Sequence, residues 1–349
     1  MNSRTSRTQM ESMKFKEKRV LVTGGAGFIG SHLVDRLVEQ GAFVRVLDNF
    51  STGKRENLRA HSGKRSFELL EGSLLDQKVL QQAVEGIQVI FHLACLGVRH
   101  SIKHPEENHR VNAGGTLNLL AAAREEPQVE YFAHVSSSEV YGNSLRELMD
   151  EEHPTFPHTV YGASKLAGEA YARAYHITYG LPVVIIRPFN VFGPRAHFEG
   201  DAGELIPKSV LRALTGHPIL VFGDGSQERD YTYVTDTVEA ILEITGSGLF
   251  TGETVNIGTG KAVTVEEIAR KIVSLTPETN AGIEYTEPRP GDVQRLVCDA
   301  RRLREVLGFK PRVSLDEGLA RVIQWFREIE KLLEEWFAQE SGINWKEKI

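Results

Sequence analysis

Residues 23–30 read Thr-Gly-Gly-Ala-Gly-Phe-Ile-Gly, a glycine-rich segment between two apolar ones. The apolar residues 18–23 before it predict a short strand, and residues 31–40 after it carry apolar positions at helical spacing. Glycines at positions 24, 27 and 30 permit a tight turn, a close approach of the backbone to a bound group, and close packing of helix on strand. A strand, a glycine-rich turn and a helix in this order predict the first unit of a Rossmann-type fold.

The alternation of strands and helices continues through the first half of the chain. Predicted strands cover residues 43–47, 89–93, 131–136 and 183–187, and predicted helices cover residues 79–84, 116–124 and 164–179. Strands that alternate with helices form a parallel sheet with helices on both faces. Such strands are buried on both sides, which accounts for the run Val-Val-Ile-Ile at 183–186. We therefore expect an α/β protein with a Rossmann-type, doubly wound parallel sheet.

After residue 190 this rhythm breaks, and glycine and proline become frequent, as in Gly193-Pro194 and Gly216-His217-Pro218. We expect a flexible leader at residues 1–17, a sheet domain at 18–190 to which some later segments return, and a smaller C-terminal lobe at 191–325 that closes over a ligand. A helical tail is expected at 326–349. Apolar positions at helical spacing across residues 315–337 predict one face that packs on the body or on a partner chain.

The bulk composition excludes several classes of function. The 349 residues carry a net charge of -6, so no basic surplus indicates nucleic-acid binding, and no apolar run approaches the roughly 18 residues of a membrane span. The two cysteines, Cys95 and Cys298, fit a reducing compartment, and we predict a cytoplasmic protein. The Arg and Ser content of the first fourteen residues leaves a short organelle-targeting peptide as an alternative. The histidines show no metal-ligand spacing with cysteines or carboxylates, so we predict no metal site.

A carboxylate after the second strand points to the cofactor. The glycine-rich turn opens a helix whose free N–H groups favour phosphates. Asp48 ends the second predicted strand, eighteen residues after Gly30. A carboxylate there accepts hydrogen bonds from both adenosine ribose hydroxyls and repels a 2′-phosphate. The arrangement therefore predicts NAD binding in preference to NADP.

Tyr161 and Lys165 stand four residues apart, on one face of a predicted helix. Ser137 lies 24 residues before Tyr161, at the end of a neighbouring predicted strand. A nearby ammonium and the positive nicotinamide both favour the phenolate, so Tyr161 could act as a base near neutral pH. Ser137 would hydrogen-bond the same substrate hydroxyl. These three residues predict an oxidation catalysed behind the NAD site.

The sequence resembles the extended short-chain dehydrogenase/reductases, in the nucleotide-sugar epimerase/dehydratase group, from about residue 19 to residue 325. The motifs that carry the resemblance are residues 23–30, Asp48-Asn49 with Ser51-Thr52-Gly53, His92-Leu93-Ala94, residues 136–142, Tyr161-x-x-x-Lys165, residues 187–194, Gly223-Asp224-Gly225 with Arg229-Asp230, and Arg289-Pro290-Gly291-Asp292.

The resemblance implies NAD as cofactor, a UDP- or dTDP-hexose as substrate, and a homodimer paired through the helices at 116–124 and 164–179. It implies that Lys165 also binds the nicotinamide ribose. It further implies that Asn190, Arg229 and Arg289 hold the nucleotide diphosphate, whose oxygens match the paired N–H groups of a guanidinium. The expected catalytic residues are Ser137, Glu139, Tyr161 and Lys165, the expected cofactor contacts are Gly24, Gly27, Phe28, Ile29, Gly30, Asp48, Asn49, Leu93, Tyr161 and Lys165, and the expected substrate contacts are Ser101, Asn190, Arg229, Arg289 and Asp292.

Enzymes of this group begin by oxidising the sugar at C4, and Glu139 bears on the step after this oxidation. Simple 4-epimerases usually carry a small uncharged residue there, whereas related dehydratases and decarboxylases place a glutamate beside C5, whose proton the 4-keto group acidifies. Glu139 therefore favours a 4,6-dehydratase over a 4-epimerase by a narrow margin. A UDP-hexose 4-epimerase is almost as well supported, because Ser138 stands where many dehydratases carry the aspartic acid that protonates the leaving C6 hydroxyl.

A UDP-sugar-acid decarboxylase comes third, because Leu296 stands where that group has an arginine and Arg295 is displaced by one. Two further departures are Ser73, where an acidic residue near the adenine is common, and Cys95, which we interpret as a buried thiol. Outside these reactions, the scaffold could serve a non-catalytic NAD-binding sensor or a dehydrogenase that releases NADH. A sensor would have no need of Ser137, Tyr161 and Lys165 together, so their presence argues against this alternative.

Overall fold

A computed structural model describes residues 14–329, 332–340 and 342–343. The strands are β1 (Arg19–Thr23), β2 (Phe43–Asp48), β3 (Phe67–Glu71), β4 (Val89–His92), β5 (Tyr131–Val135), β6 (Val183–Pro188), β7 (Val191–Phe192), β8 (Ile219–Phe222), β9 (Glu228–Arg229), β10 (Thr232–Tyr233), β11 (Thr254–Ile257), β12 (Val263–Thr264), β13 (Ile283–Thr286) and β14 (Arg295–Leu296). Seven of them form one sheet, in the order β11-β6-β5-β4-β1-β2-β3, and every pairing in it is parallel. The predicted Rossmann-type α/β architecture is confirmed.

Two strands of this sheet, β3 and β11, were not predicted from the sequence. The edge strand β3 pairs only with β2, and its side chains are half-buried or exposed, so it shows no apolar run. Strand β11 carries the buried polar residue Asn256, whose Oδ1 accepts a hydrogen bond from the Tyr141 hydroxyl at 2.7 Å. Because β11 lies beyond residue 190 and pairs with β6, the chain returns to the sheet after entering the second lobe.

The helices are α1 (Phe28–Glu39), α2 (Gln77–Val84), α3 (Val98–Lys103), α4 (Pro105–His109), α5 (Gly115–Glu125), α6 (Val160–Tyr179), α7 (Leu205–Leu214), α8 (Val234–Ser247), α9 (Val265–Leu275), α10 (Arg301–Leu307), α11 (Leu315–Glu328) and α12 (Leu333–Gln339). Helix α1 begins three residues earlier than predicted, directly after the turn glycine Gly27. Helix α6 begins where the Thr159 side chain accepts a hydrogen bond from the Gly162 N–H at 3.1 Å, a typical N-cap. It ends at Gly180, whose φ of 73° suits glycine.

Both faces of the sheet are buried, which explains its apolar strands. In β1, Val20 and Val22 point to one face and pack in a cluster with Leu33 of α1, whereas Leu21 points to the other and packs with Leu119 of α5. All five side chains are fully buried. Each such side chain contributes about 1.5–3 kcal/mol to stability.

The smaller lobe is built from short strands and helices. Strands β8 and β13 pair in parallel, and β9 lies between β12 and β14. The tail segment predicted at 315–337 contains α11 and α12, and Trp336 of α12 stacks on Phe198 with ring centroids 4.5 Å apart. Residues 1–13 of the predicted leader lie outside the described residues. Over the described part of the chain, no helix has both the length and the apolar character to cross a membrane.

Candidate active site

A cavity of about 450 Å³ opens at the carboxyl ends of the central strands, where the sheet faces the smaller lobe. The predicted site residues that line it are Gly24, Gly27, Phe28, Ile29, Gly30, Asp48, Asn49, Leu93, Ser137, Glu139, Tyr161, Lys165, Asn190, Arg229, Arg289 and Asp292. Ser101 does not line it. Its hydroxyl is buried and donates to the Val98 carbonyl oxygen at 2.6 Å, so its position does not support a substrate contact. On the same helix α3, Arg99 faces the cavity instead.

The turn at the start of α1 fits a dinucleotide. Gly24 has a φ of 71°, and a Cβ there would lie 2.7 Å from the backbone of Ala94. A Cβ at Gly30 would lie 2.1 Å from the carbonyl oxygen of Gly24. Only glycine therefore leaves the turn open beside the helix N-terminus, where phosphates bind.

Asp48 stands at the end of β2 with its carboxylate at the cavity wall. Its Oδ2 accepts a hydrogen bond from the Ala26 N–H at 2.9 Å, and its Oδ1 accepts one from the Phe50 N–H at 2.8 Å. Burial raises the pKa of Asp48, and these two backbone hydrogen bonds act against the rise. Each carboxylate oxygen keeps a second acceptor site, so Asp48 can still receive two ribose hydroxyls.

Tyr161 and Lys165 lie one turn apart on α6 beside Ser137, which follows β5. Burial raises the pKa of Tyr161 well above its usual value, nearby Cys95 and Glu139 raise it further, and a hydrogen bond with Ser137 lowers it. Lys165 is buried, and its Nζ donates to the Val135 carbonyl oxygen at 2.6 Å. In the chain by itself, the phenol is thus harder to ionise than the sequence argument expects.

A buried ion pair fixes the catalytic helix to the sheet. Glu169 lies on α6 one turn beyond Lys165, and its Oε1 and Oε2 accept hydrogen bonds from Arg187 of β6 at 2.9 and 2.6 Å. The Ser136 hydroxyl also donates to Glu169 Oε1, at 2.5 Å. Glu169 and Arg187 are 1% and 4% exposed. Since Ser136 precedes Ser137, this pair sets the position of Ser137, the predicted catalytic serine, relative to α6. The sequence analysis missed it, although an arginine inside an apolar strand is a usable signal.

The far end of the cavity is cationic. Asp292 Oδ1 accepts hydrogen bonds from Arg229 at 2.8 Å and from Arg289 at 2.6 Å. Asp292, predicted as a substrate contact, thus holds the two guanidinium groups in place. Two guanidinium groups share one carboxylate, which leaves a net positive charge suited to a diphosphate. Asn190 Oδ1 and Arg289 Nε are buried, and each lacks a hydrogen-bond partner among the described residues.

Three charged residues that line the cavity were not predicted, namely Arg99, Glu107 and Glu204. Arg99 and Glu204 are partly buried and come from α3 and from the N-cap of α7. The pKa of Arg99 is lowered to about 10, mainly by burial and then by the charge of Arg289, while the carboxylates of Glu204, Asp292 and Glu139 act against the fall. No local sequence pattern marks Arg99 or Glu204, because only the fold brings them together.

The structure also shows where the residues lie that differ from the usual pattern of the resembling family. Ser73 lines the cavity, and its Oγ accepts a hydrogen bond from the Leu75 N–H at 3.2 Å. Cys95 lines it and is half-buried rather than fully buried. Leu296 is fully buried in β14, and Arg295 pairs with Glu228. Within the described ranges, no group of three metal-ligating side chains is found.

Comparisons with known proteins agree with this geometry. Residues 21–322 match the family described as GDP-mannose 4,6 dehydratase. A putative UDP-glucose 4-epimerase of Methanocaldococcus jannaschii is 37% identical over 308 residues, which cover 88% of this chain and 98% of the relative. A UDP-N-acetyl-alpha-D-glucosaminuronate decarboxylase of Bacillus cytotoxicus is 36% identical and covers 90% of this chain and 99% of its own. The dTDP-glucose 4,6-dehydratase DesIV of Streptomyces venezuelae, solved with NAD bound, superposes with a TM-score of 0.84 at 33% identity and covers 91% of this chain and 99% of its own.

Proposed function

The chain belongs to the GDP-mannose 4,6-dehydratase family of extended short-chain dehydrogenase/reductases, NAD-dependent nucleotide-sugar enzymes, and from this membership we propose that it is a 4,6-dehydratase of a UDP- or dTDP-hexose. The proposal rests on the position, the burial and the hydrogen bonding of the Glu139 side chain. Its side chain lines the cavity, the residue is 9% exposed, and its buried Oε2 has no hydrogen-bond partner in the described structure. A buried carboxylate oxygen without a partner is costly, and such groups concentrate at catalytic sites.

We assign the two ends of the cavity to the two ligands. Residues 18–190 hold the cofactor: Gly24, Gly27 and Gly30 receive the pyrophosphate, Asp48 the adenosine ribose, and Lys165 the nicotinamide ribose. Residues 191–325 supply most of the substrate site, with Arg229 and Arg289 on the diphosphate. Bound NAD supplies a hydride acceptor at C4 of the sugar.

Tyr161 then takes the proton of the C4 hydroxyl, and Ser137 hydrogen-bonds the same oxygen. Because burial raises the pKa of Tyr161, the phenolate depends on positive charge close by. The Lys165 ammonium, one turn along α6, and the cationic nicotinamide ring are the charges that favour it.

In the proposed dehydration, Glu139 removes the C5 proton once C4 is a ketone. The decisive experiment runs the reaction in heavy water and reads C5 of the product by NMR. A dehydratase exchanges this proton, so deuterium should enter C5. Glu139→Gln should lower product formation by about 10²- to 10⁴-fold while the C4 oxidation survives and NADH accumulates on the enzyme. Product without deuterium at C5 would overturn the proposal and leave Glu139 as a substrate-binding carboxylate.

A UDP-hexose 4-epimerase is the second candidate, because Ser138 supplies no carboxyl beside the sugar and the M. jannaschii relative is named as an epimerase. Mass spectrometry separates the reactions: an epimer keeps its mass, a dehydrated product loses water, and a decarboxylated product loses carbon dioxide. The third outcome has the weakest support, since Leu296 is buried and Arg295 is paired with Glu228.

We also propose a cytoplasmic homodimer paired through α5 and α6. Helix α6 exposes Ile177 and Tyr179, which are 76% and 52% exposed in the single chain, and an isologous contact would cover such residues. The free cysteines Cys95 and Cys298 support a reducing compartment. Light scattering at micromolar concentration should give twice the chain mass, and a monomer would contradict this assignment.

A further inference from the structure

Removal of the C6 hydroxyl needs a proton donor as well as a base. Hydroxide is a poor leaving group, and a positioned acid contributes about 10²- to 10⁴-fold to its departure. Ser138 is buried at the cavity wall but carries a hydroxyl, not a carboxyl. In the proposed dehydration, a second carboxyl group in the cavity could supply this proton while Glu139 acts as the base.

Glu204 is a carboxyl group that lines the same cavity as Glu139 and Tyr161. It occupies the N-cap of α7, yet in the described chain its side chain accepts no capping hydrogen bond from that helix. Its backbone is held instead, because its N–H donates to the His197 carbonyl oxygen at 2.7 Å. The carboxyl is therefore not used to start its helix.

Glu204 interacts electrostatically with other groups of this cavity. Its charge raises the pKa of Tyr161, and that of Glu139 does the same. Both carboxyl groups also act on Arg99, whose buried Nε finds no hydrogen-bond partner in the described residues. Glu139, Glu204 and Arg99 thus line the cavity that also holds Tyr161.

We propose that Glu204 is the acid that protonates the C6 hydroxyl as it leaves, a role for which position 138 offers no carboxyl; this inference rests on the proposed 4,6-dehydratase function. Glu139 takes the C5 proton, and the electron pair of the C5–H bond passes to the C4 ketone as an enolate. The enolate then returns this pair to form the C5–C6 double bond. The C6–O bond breaks with its electron pair on oxygen, which takes the proton of Glu204 and departs as water. Glu204 is left as a carboxylate beside Arg99 and regains its proton from solvent.

The environment of Glu204 suits this role. Burial raises the pKa of Glu204 to about 7, and Arg99 acts against the rise. A substantial fraction of the carboxyl therefore carries a proton at neutral pH, and an acid with a pKa near the working pH donates most effectively. Arg99 then stabilises the carboxylate left after the transfer.

The test uses the NAD-loaded enzyme with UDP-glucose and dTDP-glucose as substrates. It measures the rate of water loss, the exchange of the C5 proton for deuterium, and the effect on the rate of changing the leaving group at C6. Glu204→Gln should slow water loss by about 10²-fold or more. Deuterium exchange at C5 should persist, because the base is intact. An analogue with fluorine in place of the C6 hydroxyl needs less protonation, so the variant should process it within a few-fold of wild type.

Two further variants keep the test decisive. Ser138→Asp placed in the Glu204→Gln background should restore much of the lost rate by supplying a carboxyl at position 138. Glu305→Gln, at an exposed position on α10, is the matched control and should leave every readout unchanged. Water loss at the wild-type rate in Glu204→Gln overturns the assignment of Glu204 and leaves the dehydratase standing. A wild-type product of unchanged mass overturns the dehydratase itself.

Discussion

The raised pKa of Glu204 should make the stability of the protein depend on pH in a way that one substitution removes. Burial raises this pKa from 4.5 to about 7. The folded protein therefore holds the proton more tightly than the unfolded chain does. The associated stability is fully present below pH 4.5 and is lost as the pH rises through about 7.

The magnitude follows from about 1.4 kcal/mol for each pKa unit. Complete ionisation of Glu204 would lower the unfolding free energy by about 3 kcal/mol. About 2 kcal/mol of this decrease falls between pH 5.5 and pH 8. These are upper limits, because Glu204 is only partly buried and faces a cavity that water can enter. Gln at position 204 does not ionise, so the Glu204→Gln protein should gain about 1–2 kcal/mol in unfolding free energy over wild type across that range.

Urea unfolding followed by tryptophan fluorescence at pH 5.5 and pH 8, with NAD saturating throughout, measures this difference. Glu305→Gln, exposed and remote, should differ from wild type by less than about 0.5 kcal/mol at both pH values. If the gap between Glu204→Gln and wild type is the same at both pH values, Glu204 titrates near its ordinary pKa. That result would refute the burial argument.

Three further outcomes are expected. Asp48→Ala should weaken NAD binding and narrow the gap to NADP, measured by titration calorimetry; tighter NADP than NAD binding by the unmodified protein would contradict the role of this carboxylate. Tyr161→Phe should remove turnover by several powers of ten while NAD stays bound, and activity within a few-fold of wild type would assign the base elsewhere. Glu169→Leu should lower the unfolding free energy by about 3–5 kcal/mol, because the Arg187 guanidinium stays buried without its partner; a loss below about 1 kcal/mol in urea unfolding would show that water reaches this arginine.

The sheet and the cofactor turn could be predicted from sequence because their signals are local. The apolar run at 183–186 reports a strand buried on both faces, and the glycines of residues 23–30 report a backbone path that a Cβ would block, as Gly30 shows. The same holds for Tyr161 and Lys165, since a helix places residues four apart on one face. The fold, the cofactor and the family are confirmed by the parallel sheet and the relatives.

Some local signals were misleading or weak. Ser101 carries a suitable hydroxyl in a suitable segment, but it donates to the Val98 carbonyl oxygen of its own helix, and Arg99 lines the cavity where Ser101 does not. Strand β3 lies at the sheet edge, where half-exposed side chains dilute the apolar pattern. Helix rotation and edge position depend on what packs next to the element, and neighbouring residues in sequence do not encode that.

The residue patterns were thus enough to predict the Rossmann-type sheet and NAD as cofactor, and they led to the predicted roles of Asp48, Ser137, Tyr161 and Lys165. Which charges share the cavity could be seen only in the folded chain. Glu204 and Arg99 stand far apart in sequence and on different lobes, and Glu169 reaches Ser136 and Arg187 through the packing of α6 on the sheet. The physical reason is that burial and Coulomb interactions depend on distance through space, whereas the patterns read from a sequence extend over only a few residues of the chain.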